Sequence, residues 1–137
     1  MSDRYDAEIK LSDAAKMQKT IESFLQNFGK DISGALGEAL DEVGKEAAKK
    51  LKATSPKKTG AYARAWTYRR KVKGKNGVEA KVYNAKRGQL THLLEYGHPL
   101  ISNGKVVGQV RGQSHIGPVN EWVQSELPKR FAQKVQK

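Results

Sequence analysis

Ile32, Leu36, Leu40, Val43, Ala47 and Leu51 follow one another at steps of four, four, three, four and four. Only an α-helix brings residues at that spacing onto one face, so the pattern predicts an amphipathic helix from about Asp31 to Ala53 with a stripe that must be buried. A chain of 137 residues has room for one hydrophobic core, and this helix has to be a main wall of it. Gly34, Gly37 and Gly44 each weaken the helix by up to about 1 kcal/mol relative to alanine. Their presence points to another element lying close against part of it.

The rest of the chain reads as shorter elements around that helix. Residues 1–11 are polar and acidic without a sustained period, which predicts a flexible N-terminal arm ahead of a single domain over residues 12–137. From Ser12, a candidate N-cap, Met17, Ile21, Phe24, Leu25 and Phe28 recur at helical spacing until Gly29. Thr54-Ser55-Pro56 ends the long helix. Ala61 to Lys73 reads as a strand, with Trp66, Tyr68 and Val72 on one parity and Arg70 interrupting it. Gly74-Lys75-Asn76-Gly77 is a hairpin connection to a returning strand, Val78 to Ala85, in which Val78, Ala80, Val82 and Asn84 share a face opposite Glu79, Lys81 and Tyr83. Thr91 to Tyr96 fits a short helix stopped by Gly97 and Pro99. Asn103-Gly104 joins Leu100-Ile101-Ser102 to Lys105-Val106-Val107 as a second hairpin, and Gly108, Gly112 and Gly117 suggest a loop after it. Val119, Val123, Leu127, Phe131 and Val135, at a strict step of four, predict a C-terminal helix that Pro128 kinks or restarts. The fold class expected is α+β, a long amphipathic helix and a C-terminal helix packed on a small antiparallel sheet.

Composition narrows the function. Only 37% of residues are apolar and the mean hydropathy is -0.73, without a run of apolar residues long enough to span a bilayer. The N-terminus MSDRYDAEIK is acidic where a signal peptide needs basic residues and then an apolar run. The absence of cysteine removes disulfides, thiol nucleophiles and thiolate zinc sites together. The net charge of +12 is unevenly spread: residues 1–44 hold 5 basic and 9 acidic groups, residues 45–87 hold 15 and 2, and the remainder 6 and 3. An acidic region of one copy can therefore meet a basic region of the next, and a positive face can line a path for DNA.

Catalytic patterns are missing. The serines lie in caps or loops, the carboxylates lack a paired context, and Gly74 to Gly77 lacks the helix a phosphate loop requires. His92, Glu95 and His98 fall at steps of three, but Gly97 and Pro99 break the helix that would align them, and the spacing is not that of a zinc protease. No enzyme activity, cofactor or metal is expected, and His115 reads as structural or exposed. The basic tract offers more. Lys49, Lys50, Lys52, Lys57, Lys58, Arg64, Arg69, Arg70, Lys71, Lys73 and Lys75 can contact phosphates without reading bases. Trp66 and Tyr68 could stack on single-stranded bases, although packing is the commoner fate of a tryptophan in a small core.

After the long helix, Ser55-Pro56-Lys57-Lys58-Thr59-Gly60-Ala61-Tyr62-Ala63-Arg64-Ala65-Trp66 resembles the SPVDTGxLRxS signature of the HK97-gp10-like phage tail-component and neck proteins. Val82-Tyr83-Asn84 followed by Leu93-Leu94-Glu95-Tyr96-Gly97-His98 is similar to the second half of that signature, and Gly117-Pro118-Val119 to its proline turn into a last helix. Lys57-Lys58 stands where Val-Asp is common, and His98 where Thr or Ser is. The resemblance implies a structural protein of the virion, made in the host cytoplasm, that completes the tail or neck at the head-tail junction as part of a homo-oligomeric ring. Its partners would be connector or tail-tube proteins and double-stranded DNA in the channel, held without sequence preference, and no membrane. Pro56, Thr59, Gly60, Glu95, Tyr96 and Gly97 would be structural turn residues, while Lys57, Lys58, Arg64, Arg69, Arg70, Lys71, Lys73 and Lys75 are candidates to face DNA. Two other readings of the basic tract are a free, sequence-nonspecific nucleic-acid-binding protein and a soluble protein-binding module.

Overall fold

A stripe on one side of a long helix needs a surface to cover it, and here two surfaces share the work. The computed structural model describes residues 8–11, 33–57, 60–73 and 77–135, giving the backbone alone at residues 33, 72, 73, 77 and 78. Helix α1 (Ser33–Thr54) packs against a three-stranded sheet on one side and against the C-terminal helix α4 (Ile116–Val135) on the other. Leu40, Val43, Ala47 and Leu51 of its stripe are fully buried. They meet Val123, Leu127 and Phe131 of α4, whose step of four makes the matching stripe. The expected helix over Ser12 to Phe28 lies outside the described residues, as do the connection at residues 74–76 and Lys58 and Thr59.

The sheet is antiparallel in the order β1 (Ile9–Lys10), β3 (Gly77–Asn84), β2 (Trp66–Lys73). Trp66, Ala80 and Val82 point into the core. The last residues of the stretch read as a polar arm form β1: Ile9 and Leu11 are buried, because a strand at this edge covers Val82 and the Leu11 N–H reaches Ala80 O at 2.9 Å. Close approach explains two of the three helix glycines. A Cβ at Gly44 would sit 2.1 Å from the Tyr68 ring, and one at Gly37 would sit 3.3 Å from the Arg70 guanidinium. Gly34 has nothing within 4 Å.

Three local readings of the sequence change. The strand expected from Ala61 begins at Trp66, and Ala61–Arg64 is instead one helical turn, α2. Gly60, at φ 83, turns the chain so that its carbonyl accepts the Arg64 N–H at 3.0 Å, which drives Tyr62 inward. The loop expected after Val107 is strand: β4 (Gly97–Ser102) pairs with β5 (Lys105–Arg111), and Gly108 lies opposite Leu100. Asn103 and Gly104 both take positive φ, 51 and 75, as a two-residue turn of type I′ requires. Helix α4 runs through Pro128 without a restart, held by Leu127 and Phe131, both buried, and it begins at Ile116, ahead of the proline turn expected there. The short helix predicted from Thr91 to Tyr96 is present as α3, after a 3₁₀ turn at Gly88–Leu90.

Candidate functional site

The signature residues converge at the end of α1. The last carbonyls of a helix need donors, and side chains supply them: Thr54 Oγ1 donates to Lys50 O at 2.8 Å and Lys57 Nζ to Ala53 O at 2.9 Å. Lys57 thus sits at the negative end of the helix dipole. Ser55 is buried, donates to Leu51 O and accepts the Trp66 Nε1–H at 2.8 Å. Trp66 is tied to the helix end across eleven residues of chain, so packing is its role. Tyr62, Trp66 and His115 form a cluster of edge-on rings with centroids 5.6–6.3 Å apart.

His115 links this cluster to the second half of the signature. Its Nε2 lies 2.7 Å from the Tyr62 hydroxyl, and its Nδ1 lies 2.7 Å from Gln113 O and 3.0 Å from Glu95 Oε1. The buried Glu95 carboxylate accepts the backbone N–H groups of His115, Ile116 and Gly117 at 2.8, 2.8 and 3.0 Å, and the Ser114 hydroxyl at 3.1 Å. Glu95 on α3 therefore caps the N-terminus of α4 from twenty residues away, and Pro118 follows where no further donor is needed. Burial pushes the Glu95 carboxyl up, but the three backbone N–H groups outweigh it and hold the group below the usual carboxylate range. Burial, with Glu95 nearby, pushes the Tyr62 hydroxyl up, so it stays protonated. Among the described residues, no buried side-chain nitrogen or oxygen lacks a hydrogen-bond partner.

Gly97 completes the junction. It takes φ 82 and ψ 179, which L residues scarcely adopt, and a Cβ there would lie 2.4 Å from Val110 O. Gly112 on the crossing chain is equally confined, since its Cβ would meet Glu95 O at 2.5 Å. Tyr96 between these fixed residues is exposed and stacks on His92 at 5.2 Å. The spaced trio His92, Glu95 and His98 is not gathered: Glu95 turns to α4, and His98 Nδ1 lies 3.1 Å from Pro99 O. No group of three metal-capable side chains occurs among the described residues.

The basic candidates divide by strand parity. Arg70 faces α1, where it forms a two-point contact with Asp41 at 2.8 and 3.2 Å, and Tyr68 donates to the same carboxylate at 2.8 Å. The Arg70 hydrogen bond is the main reason the Asp41 carboxyl lies below its usual range. Arg69 and Lys71 face the other way. Register places Lys10, Lys81 and Arg69 directly opposite one another on three adjacent strands, a rung of three cations on the sheet face away from α1. Like charges opposed in this way destabilise a sheet. Tyr83 moderates the cost, with Arg69 and Lys81 lying 5.6 and 5.4 Å from its ring, and Glu8 approaches Lys81 at 3.6 Å. Arg64 is exposed beside Gly60, and Lys57 is at the helix end. Lys58, Lys75 and the Lys73 side chain lie outside the described residues. Sequence reasoning missed Lys10 and Lys81 as members of this face. Strand alternation already put Lys81 on the side of Tyr83, but only the register aligns it with Arg69 and Lys10.

The model of the bacteriophage HK97-gp10 tail-component family matches residues 15–97, a span that includes the long helix, the Ser55 to Trp66 turn and the Glu95 to Gly97 element. The chain belongs to the HK97-gp10-like family. Its relatives are structural components of the phage tail, so phage proteins are its partners and the virion its destination. No curated protein and no solved structure matches the chain. Two parts of the family pattern acquire a physical role here: the Ser–Trp hydrogen bond closes the helix end, and the Glu–x–Gly element caps the last helix while bending the chain into β4. No helix among the described residues is long and apolar enough to cross a membrane.

Proposed function

We propose that the chain is a tail-completion or neck protein of the head-tail junction or tail end, one subunit of a ring through which the genome passes. Its work is mechanical, docking on a connector or tube ring and completing the conduit, and no step of it is catalytic. The observation that carries this reading is the rung of Lys10, Lys81 and Arg69 on an exposed sheet face of a tail-component fold. Three cations held in register despite their mutual repulsion suit a wall facing a polyanion, where phosphates supply the missing countercharge. Lys71 extends the row along β2. No recognition motif accompanies the charge, as expected where DNA of any sequence must slide past. Arg70, held by Asp41, belongs to the fold in this scheme and not to the wall.

Electron microscopy of particles labelled with an antibody to this chain tests the proposal. Label confined to the head-tail junction or tail end, with head-filled but tailless particles when the gene is deleted, is the expected result. Complete infectious particles without the chain, together with salt-sensitive binding of the isolated monomer to duplex DNA, would favour a free nucleic-acid-binding protein instead.

A further inference from the structure

The β4–β5 hairpin is the least protected apolar part of the described chain. Ile101, Val106 and Val107 are 65%, 67% and 64% exposed, and Leu100 and Val110 are 44% and 36% exposed. The hairpin forms a sheet of its own, and two strands alone are marginal in water. Its base, in contrast, is fixed: Gln113 N–H donates to Leu94 O at 2.8 Å, Gly97 and Gly112 cross closely, and Glu95 is locked onto α4. A rigidly rooted tongue with an apolar tip and residues Lys105 and Arg111, and without an acid between Gly97 and His115, suits an acidic receiver with an apolar floor.

Such a receiver exists at the opposite end of the same subunit. The hairpin is rooted beside the C-terminus of α1, where Gln113 Nε2 reaches Thr54 O at 3.3 Å. The seam between the first half of α1 and the last half of α4 carries Glu38, Glu42, Glu46 and Glu126 against Arg130 and Lys134, with Lys45 on the flank near Asp41. Leu36 and Val135 lie half-buried at that end. Glu42 is twelve residues before Thr54, about 18 Å along the helix axis. Complementary surfaces at opposite ends of one subunit make a heterologous, head-to-tail contact, the type that closes into rings. We infer that the β4–β5 hairpin docks on the α1–α4 acidic seam of a second copy of this chain. The inference rests on the ring reading above and supplies the contact that reading needs.

The chain has no cysteine, so single cysteines report contacts cleanly. Val106→Cys and Glu38→Cys proteins, both of the full chain, are mixed and oxidised, and the products are identified by mass. The expected result is that the mixed disulfide dominates over both symmetric ones, and that Ile101→Glu with Val106→Glu loses the oligomer while keeping the melting temperature. Symmetric Val106→Cys dimers as the main product, or no disulfide in any mixture, would overturn the inference. A closed wild-type oligomer that yields no mixed disulfide would overturn the hairpin contact and leave the ring standing. A mixed disulfide found only in open chains would support the contact and sink the ring.

Discussion

The junction around Glu95 and the sheet face around Lys81 are both polar, yet they are built on opposite terms. At the junction each charge is answered inside the chain: one carboxylate takes three backbone N–H groups and a hydroxyl, and His115 is in contact through both ring nitrogens. On the sheet face three cations oppose one another, with a tyrosine ring and one glutamate to ease them. A region that resolves its electrostatics internally serves folding, and one that leaves them unresolved is made for something outside. The two regions should therefore answer mutation in opposite ways.

The largest effect is expected at Glu95. Glu95→Ala leaves the first turn of α4 without its cap and strands buried donors, a loss of about 3 kcal/mol that urea unfolding would measure. The pH dependence has a definite sign. Because the folded carboxyl lies below its unfolded value of 4.5, its stabilisation is complete above that pH and is lost as the pH falls through the lowered folded value. The wild type should lose this contribution on acidification and Glu95→Ala should not, so their stabilities should converge in acid. Parallel curves down to the acid limit would place the cap elsewhere.

Two glycines of one helix give the next test. Gly44→Ala drives a methyl into the Tyr68 ring and should cost about 2 kcal/mol. Gly34→Ala meets open space and should stabilise by about 0.5–1 kcal/mol, since alanine is the better helix former. Equal signs at both positions would mean that helix propensity, and not the approach of β2, governs the site.

These positions also mark how far the sequence could be read. The stripe from Leu36 to Leu51 and the step of four from Val119 to Phe131 announced both main helices, because helix periodicity is local and survives without tertiary knowledge. The glycine cost pointed to a close neighbour but could not say which glycine met it, since that depends on where β2 lies. Ala61 to Arg64 read as strand because small residues give little alternation, and Gly60 with its left-handed turn decided otherwise. The signature marked Glu95 as a turn residue, whereas its role as a cap involves residues twenty positions later that only the folded chain brings near. The cation rung was hidden for a related reason: Lys10 lies 71 residues from Lys81 in a stretch whose polarity suggested an arm.

The smallest effect on folding, and the sharpest contrast with Glu95, is expected at the rung. Lys81→Ala or Arg69→Ala should change stability by no more than about 0.5 kcal/mol, with a slight gain as the opposed charges part. Each should also reduce the slope of log affinity for duplex DNA against log salt by about 1. A loss of stability comparable with Glu95→Ala, with an unchanged salt slope, would make the face part of the fold and remove its claim to the genome.

The most direct test of the whole account is the absolute mass of the purified chain by light scattering, taken across protein concentration and between low and high salt. One discrete multiple of 15.2 kDa that persists over a range of concentrations is the predicted result, as a closed head-to-tail ring requires. A monomer at every concentration and salt, or a mass that grows without limit, would contradict it.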